Sequence, residues 1–455
     1  MSWLMLSDVA GMIGAELHGD DVAIDEVSTD TRSAGAGALF FALEGPNFDA
    51  HQVLDDHPEQ PLAALVVRRP VAHPAPCLLV DDTRKALGRL AAAWRQRLDL
   101  RVIGLTGSNG KTTVKEMLAR ICAVEGPTLA TAGNLNNDIG VPLTLLRLRP
   151  EHRYAVIEMG ANHPGEIAWL TALVHPDVAL LINASGAHLE GFGSVEAVAA
   201  AKGEIFRGLD EDGIAVINAD SPFAEQWLAQ NRERRIRTFG EAAGVDCRVV
   251  DFATPVFDLH GWRVAPALRL LGRHNVLNAA AAATAALAAG LSIDAVEQGL
   301  AAVEPVGGRL CRVAGPGGST LIDDSYNANP ASVAAAIEVL AAQPGRRYLV
   351  LGDMAELGAE AEALHAGLGT QARAQGIDGV LTLGPLSAAA AAAFGPGGIA
   401  FDDLDALLRS LRDLLAADVT VLVKGSRSAA MERVIDALAD DQGGNGDGEE
   451  KSHAA

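Results

Sequence analysis

The sequence predicts an α/β protein of three domains, and two patterns and a length predict it. An apolar strand, Arg101–Thr106, runs into a glycine-rich turn ending in Lys-Thr, followed by apolar residues at helical spacing (Val114, Met117, Leu118, Ile121). From Leu100 to about Pro305, compact apolar runs alternate with helical stretches, and the alternation restarts near Arg309. Such alternation implies parallel sheets covered by helices. At 455 residues the chain is long enough for two or three domains.

Residues 1–83 hold short strand-like pieces (Ala38–Leu43, Ala63–Val67, Cys77–Val80) between turns and read as a small α/β domain. Leu87–Leu98 reads as a connecting helix. The central segment, 84–308, has strands at Arg101–Thr106, Tyr154–Ile157, Val178–Asn183 and Gly213–Asn218, each followed by a loop and a helical stretch. Arg248–Leu271 is strand-rich without helices. The third segment, 309–440, carries strands at Thr320–Ile322, Tyr348–Leu351, Gly379–Leu383 and Val419–Val423. Residues 441–455 are rich in glycine and charge and read as a disordered tail.

Hydrophobic residues make up 49% of the chain but aromatic residues only 4%, so the core is built mostly from Ala, Val, Leu and Ile. Lys and Arg total 36 against 58 Asp and Glu, a net charge of −22. An acidic surface repels a polyphosphate backbone, which argues against nucleic-acid binding but leaves room for a small phosphorylated ligand. The four cysteines are scattered without metal-type spacing and read as free thiols in a reducing compartment. Met1–Ala10 lacks the features of a signal peptide, and Ala279–Leu287 is too short to cross a membrane. A cytoplasmic protein without membrane insertion is expected.

The turn Gly107-Ser108-Asn109-Gly110-Lys111-Thr112-Thr113 aims backbone N–H groups and a helix N-terminus at one point, which favours an anion. Lys111 adds an ammonium for outer phosphates, and Thr112 a hydroxyl for Mg²⁺. Leu105 stands where the strict eight-residue phosphate loop has its first glycine, so this is the shorter form Gly-x-x-Gly-Lys-Thr.

In open parallel sheets ligands bind beyond the C-terminal strand ends, and polar residues collect there. Glu158 is placed to hold Mg²⁺ opposite the loop, or to cap a helix. His188 lies in a Gly-rich loop, as a metal ligand or as an ordinary surface histidine. Lys202 sits in a helix beside Gly203, a poor residue for a plain exposed helix, although a solvated lysine fits the same pattern. Asn134, Asn136 and Asn137 offer donors and acceptors to a polar substrate, or form an Asx turn. His274 suits stacking on a base, with Asn275 and Asn278 bonding its edge; a plain N-cap accounts for Asn275 equally. Arg309 follows two glycines at a hinge, suited to delivering a cation to phosphate charge. Asp324, Tyr326 and Asn327, and then Lys424, Ser426 and Arg427, are clusters at strand ends that serve either a ligand or a helix cap.

Taken together, Thr106–Thr112, Gly133–Asn137, Glu158–His163, His188–Phe192, Ala201–Glu204, Gly272–Asn275, Asp323–Asn329 and Lys424–Arg427 resemble the Mur ligases. The likeness runs from about Ser28 to Leu438. It implies a first domain for the UDP end of a precursor, a central phosphate-loop ATPase domain with a parallel sheet, and a C-terminal Rossmann-like domain. Thr29, Arg32 and His51 match the family's pattern for nucleotide-sugar recognition, with Ala36 where a turn proline is common. Glu158–His163, Gly352–Gly358 and Lys424–Arg427 resemble the members that couple D-Ala-D-Ala to UDP-MurNAc-tripeptide. The implied reaction is ATP-driven amide synthesis through an acyl phosphate, by a monomer. Lys111, Lys202, Glu158, His188 and Arg309 are its implied catalytic residues. Thr112 and Glu158 would share one Mg²⁺, and His188 and a carbamylated Lys202 a second. His274, Asn275 and Asn278 would lie near adenine, Arg309 and Asp324 would reach the nucleotide, and Lys424, Ser426 and Arg427 would take the dipeptide carboxylate. A tripeptide-forming Mur ligase, a folylpolyglutamate synthase and a nucleotide-hydrolysing switch are the competing readings.

Overall fold

The computed structural model describes residues 3–186, 189–259 and 261–440. His188 and the tail 441–455 therefore lie outside the described residues. Three larger sheets follow one another along the chain.

The first is mixed and five-stranded, in the order Glu16–His18, Cys77–Leu79, Ala64–Val67, Ala38–Phe41, Glu26–Ser28. Ala38–Phe41 and Ala64–Val67 are buried along their whole length, as continuous apolar strands should be when both faces are covered. The helix Thr83–Arg95 starts four residues earlier than its apolar run suggested, because Asp82 caps it by accepting from the N–H of Lys85. That helix carries Leu87, Leu90 and Trp94 into a core shared with Leu6, Val9, Ile13 and Leu39 on one side and Leu145, Ile157 and Leu181 on the other. The boundary expected near residue 83 is therefore a chain boundary inside a continuous core.

The central sheet has nine strands, ordered Thr128–Ala130, Tyr154–Glu158, Arg101–Thr106, Val178–Leu181, Ile214–Asn218, Arg235–Gly240, Cys247–Asp251, Val256–Leu259, Trp262–Val264. Neighbours are parallel as far as Cys247–Asp251; the last two strands return antiparallel. Alternate residues serve opposite faces. Val102, Ala155, Ala179 and Leu181 point to one core, and Ile103, Leu105, Val156 and Leu180 to another under the helices Lys111–Glu125 and Arg273–Ala288. The strand expected over Val178–Asn183 ends at Leu181, which releases Asn183 into the loop above the sheet.

The third sheet runs Cys311–Ala314, Thr320–Asp324, Val419–Lys424, Arg346–Gly352, Gly379–Leu383, Gly398–Phe401, parallel except for its first pair. Among the described residues, the cores on both of its faces are its own, with only Leu271 of the central segment packed against one of them. No helix among the described residues is long and apolar enough to cross a membrane.

Candidate active site

A cavity of about 1290 Å³ opens between the C-terminal ends of the central and third sheets. Its floor is the glycine-rich turn. Gly110 has φ +81°, and a Cβ there would lie 2.5 Å from Asn278 Oδ1, so the turn needs glycine on both counts. The Lys111 ammonium folds back onto the turn, donating to the carbonyls of Gly107 (2.8 Å) and Ser108 (3.3 Å). Burial pushes it below the usual lysine range; Glu158 opposes that shift and Arg309 adds to it.

Glu158 ends the strand Tyr154–Glu158 and is 1% exposed. Its backbone N–H donates to Thr131 Oγ1 (2.9 Å), which fixes its direction. One carboxylate oxygen accepts from Thr112 Oγ1 (3.2 Å) and the other from Asn136 Nδ2 (2.7 Å). A threonine hydroxyl and a carboxylate this close form a hard-oxygen pair of the kind Mg²⁺ prefers.

The third segment closes the other wall. Arg309 lies over the Tyr326 ring (4.3 Å) and donates to Thr112 Oγ1 (3.0 Å). Asn329 Nδ2 donates to Asn109 Oδ1 (2.7 Å). The Lys424 ammonium pairs with Asp324 (2.6 Å) and donates to the Asn327 carbonyl (2.8 Å). Burial raises the Asp324 carboxyl, and Lys424 pulls it back down. His274 sits near this pair, and burial together with the Lys424 charge lowers it to about 4, so its ring is neutral at pH 7. Asn278 Nδ2 donates to Asn275 Oδ1 (3.0 Å), and Asn275 Nδ2 to the Leu271 carbonyl (2.8 Å), which locks both amides at the cavity wall.

Comparison with known proteins gives this geometry a lineage. Residues 105–286 match the Mur ligase middle domain, and residues 308–427 match the Mur ligase glutamate ligase domain. A UDP-N-acetylmuramoyl-tripeptide–D-alanyl-D-alanine ligase of Escherichia coli is 49% identical over 95% of this chain and 98% of its own length. The chain belongs to the Mur ligase family. A Bacillus subtilis Mur ligase of the same name is 35% identical over 91% of this chain and 93% of its own. The crystal structure of MurF from Acinetobacter baumannii superposes with a TM-score of 0.90 at 36% identity, covering 95% of this chain and 98% of that one. That of the MurF ligase from Thermotoga maritima in complex with ADP gives 0.81 at 28%, covering 91% and 97%.

Within this Mur ligase, the cavity gathers Ser108–Thr113, Glu158, His274, Asn275, Asn278, Arg309, Asp324, Tyr326 and Lys424, with Asn134, Asn136, Asn137, Asn327, Ser426 and Arg427 also on its wall. Several of these side chains already have partners. Asn137 Oδ1 accepts from the N–H groups of Ile139 and Gly140, starting the next helix. Ser426 Oγ donates to the Asp353 carbonyl (2.6 Å), and exposed Arg427 pairs with Glu432 (2.9 Å). Lys202 is set back from the wall, 2% exposed, with its amine 3.4 Å from the Ala161 carbonyl. Burial, helped by the Lys111 charge, lowers it to about 7.

The first-segment residues Thr29, Arg32 and His51 are not brought into this cavity. Arg32 forms an exposed fork with Asp30. His51 is fully buried: Nε2 accepts from the Arg68 N–H (3.1 Å), so Nδ1 carries the proton and donates to Asp49 (2.7 Å). Both ring nitrogens are used within the fold, which corrects the expectation that this ring touches a substrate directly.

Asn183, Ser185 and Asn329 were not singled out from the sequence. Asn183 Oδ1 accepts from the Asn109 N–H (2.9 Å), and Ser185 Oγ from Asn109 Nδ2 (2.9 Å), so two residues past the Val178–Leu181 strand shape the phosphate turn. Their place just beyond a parallel strand beside the loop strand was the available signal.

Proposed function

We propose that this Mur ligase joins D-Ala-D-Ala to UDP-MurNAc-tripeptide, converting ATP to ADP and phosphate and giving the UDP-MurNAc-pentapeptide precursor of peptidoglycan. The 49% identity to the Escherichia coli ligase of that name, over nearly the full length of both chains, carries this reading.

A free carboxylate is a poor electrophile. The tripeptide carboxylate attacks the γ-phosphorus of ATP, ADP leaves, and the resulting acyl phosphate has a leaving group. The dipeptide amine then attacks the acyl carbon, and phosphate departs from the tetrahedral intermediate. Catalysis is positioning and charge neutralisation. The backbone N–H groups of Gly107–Thr113 cradle the phosphates. Lys111, redirected from its loop carbonyls, and Arg309, from the third domain, meet the charge on the transferred group. His274, Asn275 and Asn278 hold adenine, and Asp324 meets the nucleotide from the third domain.

Thr112 and Glu158 are the residues that would hold Mg²⁺, which when bound draws charge from the phosphate oxygens. A second ion is assigned to His188 and a carbamylated Lys202. An amine lowered to about 7 is unprotonated in an appreciable fraction of molecules at neutral pH. Its attack on CO₂ forms a C–N bond, releases one proton, and leaves an anion where an ammonium would repel the metal. Asn134, Asn136, Asn137, Tyr326 and Asn327 face the peptide substrates, and Lys424, Ser426 and Arg427 the dipeptide carboxylate. Thr29 and Arg32 are assigned to the UDP end, with His51 as their internal support. The reaction is assigned to the cytoplasm, where ATP is supplied, and the protein is taken to act as a monomer.

Phosphate release by the purified protein tests this. Release that requires ATP, UDP-MurNAc-tripeptide and D-Ala-D-Ala together is the expected result. Release with ATP alone overturns it in favour of a hydrolytic switch.

A further inference from the structure

One ion pair on the cavity wall is left unused by the reaction above. Arg84, in the first turn of the helix Thr83–Arg95, donates to Asp138 at 3.0 Å. Both side chains line the cavity, at 44% and 36% exposure. Asp138 follows Asn136 by two residues, and Asn136 holds the Glu158 carboxylate. The Cα of Asp138 therefore lies no more than about 7 Å from that of Asn136, two extended residues at most, and the pair shares the cavity with Glu158.

The surface beside it is apolar. Gly88 is four residues after Arg84 and shares its helix face. A Cβ at Gly88 would come within 2.9 Å of the Trp169 indole, so glycine lets the ring lie against the helix next to Arg84. Trp169 also lines the cavity. The wall thus offers an aromatic face, then a cation and an anion side by side.

A third tripeptide residue with an aliphatic side chain must leave its reacting carboxylate near Glu158 and run outward along such a wall. A lysine side chain ends in an ammonium alone, which Asp138 could meet but Arg84 would repel. A diaminopimelate side chain ends in an ammonium and a carboxylate on one carbon, and this zwitterion matches both members of the pair. We infer that Arg84 and Asp138 recognise the distal amino-carboxylate of a diamino-diacid at the third position of the tripeptide, with Trp169 covering its methylenes. Glu166, on the same wall, already accepts from His163 and from the Asn162 N–H, whereas Asp138 stands beside the guanidinium that would take the carboxylate. The inference rests on the proposed ligase reaction and deepens it.

The test compares kcat/KM for the diaminopimelate-tripeptide and the lysine-tripeptide in wild type, Arg84→Gln, Arg84→Lys and Asp138→Asn. Losing one charge-assisted contact should lower the preference for the diaminopimelate substrate about tenfold, mainly through KM. Arg84→Lys should keep part of it. If both substrates lose equally in Arg84→Gln and Asp138→Asn, the pair only braces the fold and the inference falls. A wild type that turns over the lysine substrate as well as the other also overturns it, while leaving the ligase reading intact. If neither tripeptide supports phosphate release, the ligase reading itself fails, and this inference with it.

Discussion

Lys202 shows how a single residue's surroundings can set its chemistry. It occupies a helix near its C-terminal end, where a solvated lysine would be ordinary, yet it is 2% exposed, and burial lowers its amine to about 7. Lys202→Ala should abolish turnover, and small carboxylic acids such as acetate should restore part of it by standing in for the proposed carbamate. Full activity without rescue would remove the carbamate from the mechanism. Intact-mass measurement of the native protein should show the added CO₂ directly. His274 makes a separate prediction for stability. Its folded value of about 4 lies below the ordinary 6.5, so between those pH values the unfolded chain binds more protons than the folded one. Its contribution to stability is present above pH 6.5 and is lost as pH falls toward 4. Denaturant titrations of wild type and His274→Gln should differ in slope over that window and run parallel above it.

Among the elements, the phosphate turn was the most legible, because its residue types are dictated locally. Glycine is needed where φ is positive, and lysine and threonine at the helix start suit the phosphate and metal roles proposed for them. Gly110→Ala should therefore cost more than the usual ~1 kcal/mol of a glycine replacement, since strain at φ +81° adds to a clash with Asn278. ATP-analogue binding should fall sharply, and adding Asn278→Ala should recover only the clash. Buried parallel strands were legible too: Gly379–Leu383 has the bounds its apolar run suggested. Arg235–Gly240, Gly398–Phe401, Glu16–His18 and Glu26–Ser28 were not read as strands. They are half-exposed and charged or glycine-bearing, so their pairing is set by the sheets they join and not by their own composition. The partners of Asn109 were hidden for a related reason. Asn183 and Asn329 come from loops 74 and 220 residues away, and nothing in either short string records that distance.

At the scale of the molecule, the two lobes of the cavity meet through polar side chains. Arg309 crosses from the third domain to Thr112, and Asn329 crosses to Asn109. Arg309→Ala should reduce kcat by about 10²–10³, the usual cost of losing one donor to developing charge. Its melting temperature should change little, because no core residue is removed; a matching loss of thermal stability would mean that Arg309 holds the lobes together instead.

The helix Thr83–Arg95 carries one apolar core from the first segment into the second, whereas among the described residues the third's cores take in only Leu271 from outside. Hydrogen–deuterium exchange should then divide the chain unevenly: backbone amides before residue 306 opening as one cooperative block, and those after 311 opening on their own schedule. A compound wedged at the Val306–Cys311 joint would pull Arg309 off Thr112 and so part the third segment from the phosphate turn at the point where the two are tied.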